Sequence, residues 1–509
     1  MAPSKKEGFM TNLFLSEQEL DNLAHWKYKV VDSSVTTKIL TPFWNWLVTF
    51  VPANVAPNVL TLAAFGCVLQ AFWVVVVHGD EFPKASAISA AILTYVYFTL
   101  DALDGKHARN TKNGSPLGEL FDHGCDNVGA AFQVITLLKI MGWEDPATQW
   151  YLVQAAQLIF LSQHISPYNA KDKTIRFGLL NGPGEVLHFT IIVMCAHAAV
   201  GQAFLWYLFV TILRTLETRV ADLGLPPLPD DVLRDGQVNA EAFLAKGSQL
   251  LYYCVVVGLV TQLGLMLFAE SKKHRLSGRA LLICLAIRCV PSVFLASGHT
   301  VTLEQTVSDG VFLSILTSDI IVAKIADREV HSLVVVMSMA SIMSNFAIYA
   351  SILVYYVTVF GDICVYMNLP LLGMVTNVYC DGIFDLLHRG HMEQFRQALA
   401  VSGGTRLFVG VVNDKDATEY KRKPIMSEEE RMAAVASCKY VHAVIPNAPV
   451  THMCSKPGEE PTRTERMVDQ YKPVRLSQKH FFLDRARCIM LAQLRPGSSF
   501  LRSALHFFF

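Results

Sequence analysis

The chain has 509 residues, of which 52% belong to the hydrophobic set and 17% are charged, against roughly one quarter charged in an ordinary soluble protein. Lys and Arg (43) balance Asp and Glu (43), so the bulk positive charge that a nucleic-acid partner requires is missing. Disorder and a disulfide-stapled secreted scaffold are also excluded. The first 372 residues are membrane-like, and residues 373–509 have the charge density of a soluble domain.

From the N-terminus, Met1 to Glu19 has no apolar run ahead of a small-residue cleavage site, so the internal spans are expected to serve as insertion signals. Phe43, Trp44, Trp46, Leu47 and Phe50 recur at helical spacing among polar residues. They predict an interfacial helix lying on the bilayer, within an N-terminal segment 1–56; a short first span is the alternative. Apolar stretches follow near 58–78, 86–105, 120–141, 149–165, 185–212, 249–269, 279–297, 308–324 and 332–357. They predict a polytopic α-helical membrane domain over 57–365 with roughly eight to ten spans. Lys106, His107, Arg109 and Lys112, and again Lys272, Lys273, His274, Arg275 and Arg279, place two turns on the cytosolic side by the positive-inside rule. The polar insert 217–247 reads as a loop. The eleven cysteines are scattered, many inside apolar runs (Cys67, Cys195, Cys254, Cys284), and most read as small buried hydrophobes.

At Met374 the pattern changes. Val375–Val378 reads as a buried strand entering a Cys380-Asp381-Gly382 turn. Leu386–Leu399 reads as a helix and Arg406–Val412 as a second strand. Strand, helix and strand at this spacing predict a βαβ unit and a parallel sheet.

The densest chemistry lies at residues 101–126. Asp101 and Asp104 are i, i+3, and Asp122 and Asp126 are i, i+4, so each pair shares a helix face. Asn113-Gly114-Ser115-Pro116 is a turn, which makes the two helices antiparallel neighbours and lets the four carboxylates converge. Four carboxylates at membrane depth repel one another unless paired, and hard divalent cations such as Mg²⁺ or Mn²⁺ suit them. Two such ions, roughly 3.5–4 Å apart, would clamp a phosphoryl group. Gly105 and Gly118 leave room for a substrate at the backbone, and Arg109 offers a bidentate phosphate grip. An Asp-lined proton or cation pathway is the bland alternative.

This stretch resembles the signature of the CDP-alcohol phosphotransferase family, D-x2-D-G-x2-A-R-x8-G-x3-D-x3-D, at Asp101, Asp104, Gly105, Ala108, Arg109, Gly118, Asp122 and Asp126. The likeness covers about residues 20–360. It looks nearest to the eukaryotic choline/ethanolamine phosphotransferases, with Pro57-Asn58-x-x-Thr61, Lys106 and Asn181-Gly182-Pro183-x-Glu185 fitting that branch. The resemblance implies that Asp101, Asp104 and Asp122 hold metal, with Asp126 completing the cluster. It implies a CDP pocket lined by Gly105, Ala108, Arg109 and Gly118, with Asn58 and Lys106 added. CDP-choline or CDP-ethanolamine would supply the phosphoalcohol and diacylglycerol would accept it, releasing CMP. Glu185 and His188, at i, i+3, form a candidate dyad to activate the acceptor hydroxyl, with the carboxylate orienting the imidazole. Asp126 is the rival base.

Residues 379–391 read Y-C-D-G-I-F-D-L-L-H-R-G-H. A turn after a strand, with His388 and His391 opening a helix, suits phosphate binding; a surface pair or a metal site would read the same way. With Gly410-Val411-Val412-Asn413-Asp414, Lys421 and K-P-I-M-S-E-E-E-R, the region resembles the choline/ethanolamine-phosphate cytidylyltransferases over 374–450. That likeness implies a Rossmann-like α/β nucleotidyltransferase domain (373–450). His388 and His391 would contact CTP phosphates, Lys421 would neutralise transition-state charge, and Gly382 and Asp385 would belong to the pocket. Phosphocholine or phosphoethanolamine would be the co-substrate. Past Pro449 the likeness collapses: R-T-E-R-M-V stands where the family's R-T-E-G-I-S-T-type motif would be, so an incomplete domain is expected. The divergent tail 451–509 carries one expected helix near 480–494.

Three readings remain: a fused two-step enzyme, a phosphotransferase with an inactive regulatory or binding tail, and an ion or proton transporter. The enzyme readings carry an expectation of the endoplasmic reticulum or Golgi membrane, with active site and tail cytosolic, and of a homodimer. No nucleic-acid partner is expected.

Overall fold

The computed structural model describes residues 10–26, 29–111, 113–178, 182–204, 240–402, 405–420 and 422–448, with a few short pieces elsewhere. Lys421, Asn181, residues 217–232 of the polar insert and most of the tail beyond 448 lie outside the described residues. The chain divides into two compact units. The larger comprises Thr11–Arg109 and Gly114–Asp362; the smaller includes Ile363 onward.

The larger unit is helical. After α1 (Glu17–Ala24), α2 (Val35–Leu47) runs into a 3₁₀ turn, Val48–Phe50. The long helices follow: α3 (Pro57–His78), α4 (Pro83–Asn110), α5 (Pro116–Met141), α6 (Pro146–Asn169) and α7 (Pro183–Val200). Then come α8 (Ala240–Leu267), α9 (Lys272–Ser297), α10 (Leu303–Ala326), α11 (Ser332–Ala340) and α12 (Asn345–Met367). Proline opens α3 through α7, where its missing N–H costs no hydrogen bond and its fixed φ favours the first turn. Ser115 caps α5 and Asp145 caps α6 by accepting the Gly118 and Thr148 N–H groups. Gly142 ends α5 with φ +73°, a left-handed conformation that glycine adopts without strain.

Seven of the described helices (α3, α4, α7, α8, α9, α10 and α12) are long and apolar enough to cross a membrane, and the protein is a polytopic membrane protein. The expected segments 120–141 and 149–165 are also long helices, but their polar residues keep α5 and α6 below that threshold. Two expectations are corrected. The 185–212 stretch is not one span: α7 stops at Val200, where Gly201 takes φ +80°. The 332–357 stretch is split at Ser341–Ser344 into α11 and the start of α12.

The stretch expected to lie on the bilayer forms a helix, α2, and its two tryptophans part company. Trp44 is buried against Phe98, while Phe43, Trp46 and Phe50 stay exposed and touch in sequence, the first pair tilted and the second edge-on. Such an aromatic fringe suits the level of lipid headgroups.

Helix α10 is the hub: 94% of its apolar window is buried by protein. Gly310 lets it close on α5 and α6, because a Cβ there would meet Ala131 and Val153 at 3.1 Å each. Its polar residues are paired. Asp309 takes Arg288 at 2.5 Å and the Trp150 indole at 2.8 Å. Asp319 takes Arg328 at 2.6 Å, Tyr355 at 3.1 Å and the His331 N–H at 2.8 Å. Lys324 takes Glu119 at 2.9 Å.

The smaller unit carries a three-stranded parallel sheet. Its strands are β1 (Asn377–Gly382), β2 (Arg406–Val412) and β3 (Ala443–Ala448), in that spatial order. Helix α13 (Arg389–Ser402) connects β1 to β2, and α14 (Asp414–Tyr420) and α15 (Glu428–Ala436) connect β2 to β3. Val378, Phe395, Leu407, Val409 and Val435 make the core between sheet and helices. The expected α/β unit therefore forms, with two local corrections. Cys380-Asp381-Gly382 belongs to β1 rather than a turn, because these residues continue the ladder against Val409–Val411. Near 480–494, the described pieces are two short antiparallel strands, Phe481–Leu483 and Cys488–Met490, and not a helix.

Removing the countercharge of a fully buried ion pair is expected to cost about 3–5 kcal/mol, so Arg328→Met should sharply lower the thermal unfolding midpoint in detergent. Lys139→Met, at a pair whose carboxylates are exposed, should cost less than about 1 kcal/mol and leave that midpoint nearly unchanged.

Candidate active site

The Asn113–Pro116 turn folds α4 and α5 into an antiparallel pair and brings the acidic residues together. Asp101, Asp122 and Asp126 each present a carboxylate oxygen, and these atoms lie within 4.8 Å of one another. Asp104 is buried beside them and accepts a hydrogen bond from the Thr61 hydroxyl of α3. Tyr97, one turn before Asp101, donates to Asp126 Oδ1 at 2.9 Å. Asp122 Oδ1 is buried with no hydrogen-bond partner. An unsatisfied carboxylate oxygen among four acids is costly unless a cation completes it, so the donor set fits a hard divalent ion.

The rest of the motif surrounds this cluster. A Cβ on Gly105 would meet only Arg109 Nη1, at 3.6 Å, so the guanidinium lies over an open backbone. A Cβ on Gly118 would sit 3.5 Å from Asn58 Oδ1, which places the α3 and α5 N-termini side by side. Ala108 is on the same α4 turn as Arg109. Lys106 turns elsewhere: its Nζ donates to Asn45 of α2 at 3.0 Å and lies 5.9 Å from the Trp44 ring.

His188 packs its ring 4.8 Å from Phe98, three residues before Asp101, so it adjoins the helix that bears the first two acids. Its Nδ1 lies 2.8 Å from the Gly184 carbonyl, which only accepts, so Nδ1 carries the hydrogen and Nε2 keeps a free lone pair. Glu185 does not orient this ring. Its Oε1 accepts the Thr36 N–H of α2 at 3.0 Å, and Oε2 is buried without a partner. The i, i+3 spacing put the two on one face, but the preceding-turn carbonyl outcompetes the carboxylate for the imidazole N–H.

In the smaller unit, His388 and His391 stack with centroids 4.1 Å apart at the start of α13. The Gly390 N–H donates to His388 Nδ1 at 3.0 Å and the His388 N–H reaches His391 Nδ1 at 3.4 Å. Both Nδ1 atoms accept, so both Nε2 atoms carry hydrogen and can donate to an anion. Phe384 and Leu386 take φ of +53° in the loop before them, an uncommon conformation for residues with a Cβ. Asp385 accepts the Ile425 and Met426 N–H groups, each at 3.0 Å, and so ties the K-P-I-M-S segment to this loop. Burial raises its pKa, but those two bonds outweigh this and hold the pKa below the ordinary carboxylate value. Gly382 admits the Phe384 ring, which a Cβ would meet at 2.9 Å. Arg431, fully buried, clamps Ile383 O and Asp414 rather than facing a ligand.

Comparison with known proteins finds one family match in the stretch of each site. The family described as CDP-alcohol phosphatidyltransferase matches residues 54–213. Cholinephosphotransferase 1 of Danio rerio is 30% identical over 274 residues, covering 51% of this chain and 70% of that protein. The chain belongs to the CDP-alcohol phosphatidyltransferase family. Cholinephosphotransferase 1 of Rattus norvegicus is 26% identical over 316 residues, 59% of this chain and 78% of the relative. An uncharacterized CDP-alcohol phosphatidyltransferase class-I family protein of Dictyostelium discoideum is 31% identical over 199 residues, 38% of this chain and 49% of the relative. The chain spans about half the length of this relative and of others like it. The cytidylyltransferase-like family matches residues 379–473, so that likeness runs past the expected limit at 450. The transporter reading finds no support in this membership.

Sequence reasoning passed over Tyr97, although its place four residues before Asp101 on the same face was a legible signal. Tyr97→Phe should weaken Mn²⁺ binding by roughly ten- to a hundredfold, the usual cost of losing a hydrogen bond to a metal-ligating group, as read by Mn²⁺ paramagnetic resonance titration.

His391 is held below its ordinary value of 6.5 by burial, and the neighbouring His388 adds to this. The folded unit thus disfavours the protonated ring, and the unfolded chain takes the proton first. The contribution to stability is complete above about 6.5, declines as pH falls below that value, and levels off beneath the depressed folded value. Carbon-13 histidine NMR should show this ring titrating below pH 6.5.

Proposed function

We propose that the larger unit transfers phosphocholine or phosphoethanolamine from its CDP derivative to diacylglycerol, releasing CMP. The observation that carries this reading is the convergence of Asp101, Asp122 and Asp126 within 4.8 Å beside the Gly105–Arg109 turn. The names of the cholinephosphotransferase relatives point the same way. Arg109 and the open backbone at Gly105 and Gly118 would receive the pyrophosphate, with Asn58 at the rim. Asp101, Asp104, Asp122 and Asp126 would hold Mg²⁺ or Mn²⁺, probed as two ions, which when bound supplies charge neutralisation for the pyrophosphate and the leaving CMP. His188 Nε2 would take the proton of the diacylglycerol hydroxyl as its oxygen bonds the β-phosphorus and the bond to CMP breaks. Asp126 is the weaker base candidate, since Tyr97 already occupies one of its oxygens. Glu185 would act at a distance, by fixing the N-terminus of α2 against α7.

The same reading places the protein in the endoplasmic reticulum or Golgi membrane, with the basic Lys106–Arg109 and Lys272–Arg279 turns on the cytosolic side. Radiolabelled CDP-choline and CDP-ethanolamine, with diacylglycerol and Mg²⁺ or Mn²⁺, should give labelled phospholipid and CMP in membranes containing the protein. Asp122→Asn should abolish both without preventing membrane insertion. Lack of product from wild type, under conditions that support a known cholinephosphotransferase, would refute the assignment.

A second reading concerns the smaller unit. The paired Nε2–H donors of His388 and His391, at a helix N-terminus after a parallel strand, suit the phosphates of CTP. With phosphocholine or phosphoethanolamine as co-substrate, this unit would make the donor that the larger unit consumes. The full chain carrying Asp122→Asn should then release pyrophosphate from CTP. No release would leave the unit as a regulatory or binding appendage.

A further inference from the structure

Helix α5 carries Gly118, Asp122 and Asp126, and its first turn also carries Glu119, which the motif leaves unassigned. Glu119 and Lys324 of α10 pair at 2.9 Å, with their side chains 3% and 2% exposed. The other carboxylate oxygen of Glu119 accepts the Trp26 indole N–H at 2.7 Å. Lys324 Nζ also lies 5.5 Å from the Trp26 ring centroid, in cation–π range. Trp26 is delivered by the segment that begins at α1. That segment is anchored by Asn22 to the Ala326 carbonyl at 2.9 Å and by buried Leu20 and Leu23. Three chain segments, far apart in sequence, thus meet on one carboxylate a single turn before Asp122.

We propose that Trp26 and Lys324, acting through Glu119, set the position of the first turn of α5 and so tune the affinity of the aspartate cluster for its divalent cation and for the donor's pyrophosphate. The proposal rests on the phosphotransferase reading of that cluster. Two charge-assisted bonds fix both oxygens of Glu119, so the helix cannot slide along its axis or roll without breaking one. A shift of the first turn would carry Gly118 away from Asn58 and displace Asp122 relative to Asp101. Trp26, Glu119 and Lys324 are positioning residues and touch no reacting atom in this account.

The test uses purified full-length protein in detergent or nanodiscs. Trp26→Phe keeps the ring and removes only the N–H. It should weaken Mn²⁺ binding, read by paramagnetic resonance and by the Mn²⁺-induced rise in melting temperature, by roughly three- to tenfold. KM for the CDP-alcohol should rise by a similar factor, with kcat changed less. Glu119→Gln should move the same quantities in the same direction. Trp150→Phe is the control: it removes a buried indole bond to Asp309 on α10, a bond that does not involve the first turn of α5, and should lower melting temperature while leaving Mn²⁺ affinity as in wild type. Unchanged Mn²⁺ affinity in Trp26→Phe, or an equal loss in Trp150→Phe, overturns the proposal. If wild type shows no transferase activity, the phosphotransferase reading fails by itself, and the Mn²⁺ titrations still decide the positioning role.

Discussion

Mutual repulsion among four carboxylates in a low-dielectric bundle is the constraint around which the larger unit is organised. Asp101, Asp104, Asp122 and Asp126 come from two helices that meet only because a short turn folds α4 against α5. Thr61 and Tyr97 each hold one of these acids by a hydroxyl donor, which fixes the oxygens without neutralising them. Charge balance is left to whatever the site binds. A divalent ion and a substrate diphosphate meet that need together, because the ion joins two sets of anions that would otherwise repel.

Elsewhere in the bundle the same electrostatic problem has a different solution. Asp309, Asp319 and Glu119 each take a protein cation, Arg288, Arg328 and Lys324, at salt-bridge distance and with little exposure. The contrast separates two kinds of buried acid in one membrane domain. Where an Arg or Lys is supplied, the acid serves the scaffold. Where no Arg or Lys among the described residues is in salt-bridge range, and an oxygen such as Asp122 Oδ1 is buried without a hydrogen-bond partner, the acid still lacks a countercharge that a bound cation could supply.

Much of this was legible in the sequence because it is local. The spacing of the Asp pairs alone puts them on shared helix faces, with no tertiary contact needed, and the prolines that open α3 through α7 are a further local signal that the sequence reading left unused. The signature fell on two helices joined by the turn it required. What could not be read was non-local. Glu119 looked like an ordinary first-turn acid, since its partners stand 93 and 205 residues away. The Glu185–His188 pairing failed for a local reason, a competing backbone carbonyl one turn back. The end of α7 at Val200 was hidden because the apolar character of the chain continues through Phe204 while the backbone turns at Gly201.

The burial of α10 bears on how such a chain can be built. A helix that carries Asp309, Asp319 and Lys324 and has almost no lipid-facing side gains little by entering hydrocarbon alone. Synthesis runs from the N-terminus, so Glu119 and Arg288 have already emerged when Asp309 and Lys324 leave the ribosome. Asp319 waits only nine residues for Arg328. The order of the gene therefore presents this helix to a bilayer in which the countercharges of Asp309 and Lys324 are already stationed, and the most deeply enclosed of the candidate spans is also one of the last to need accommodating.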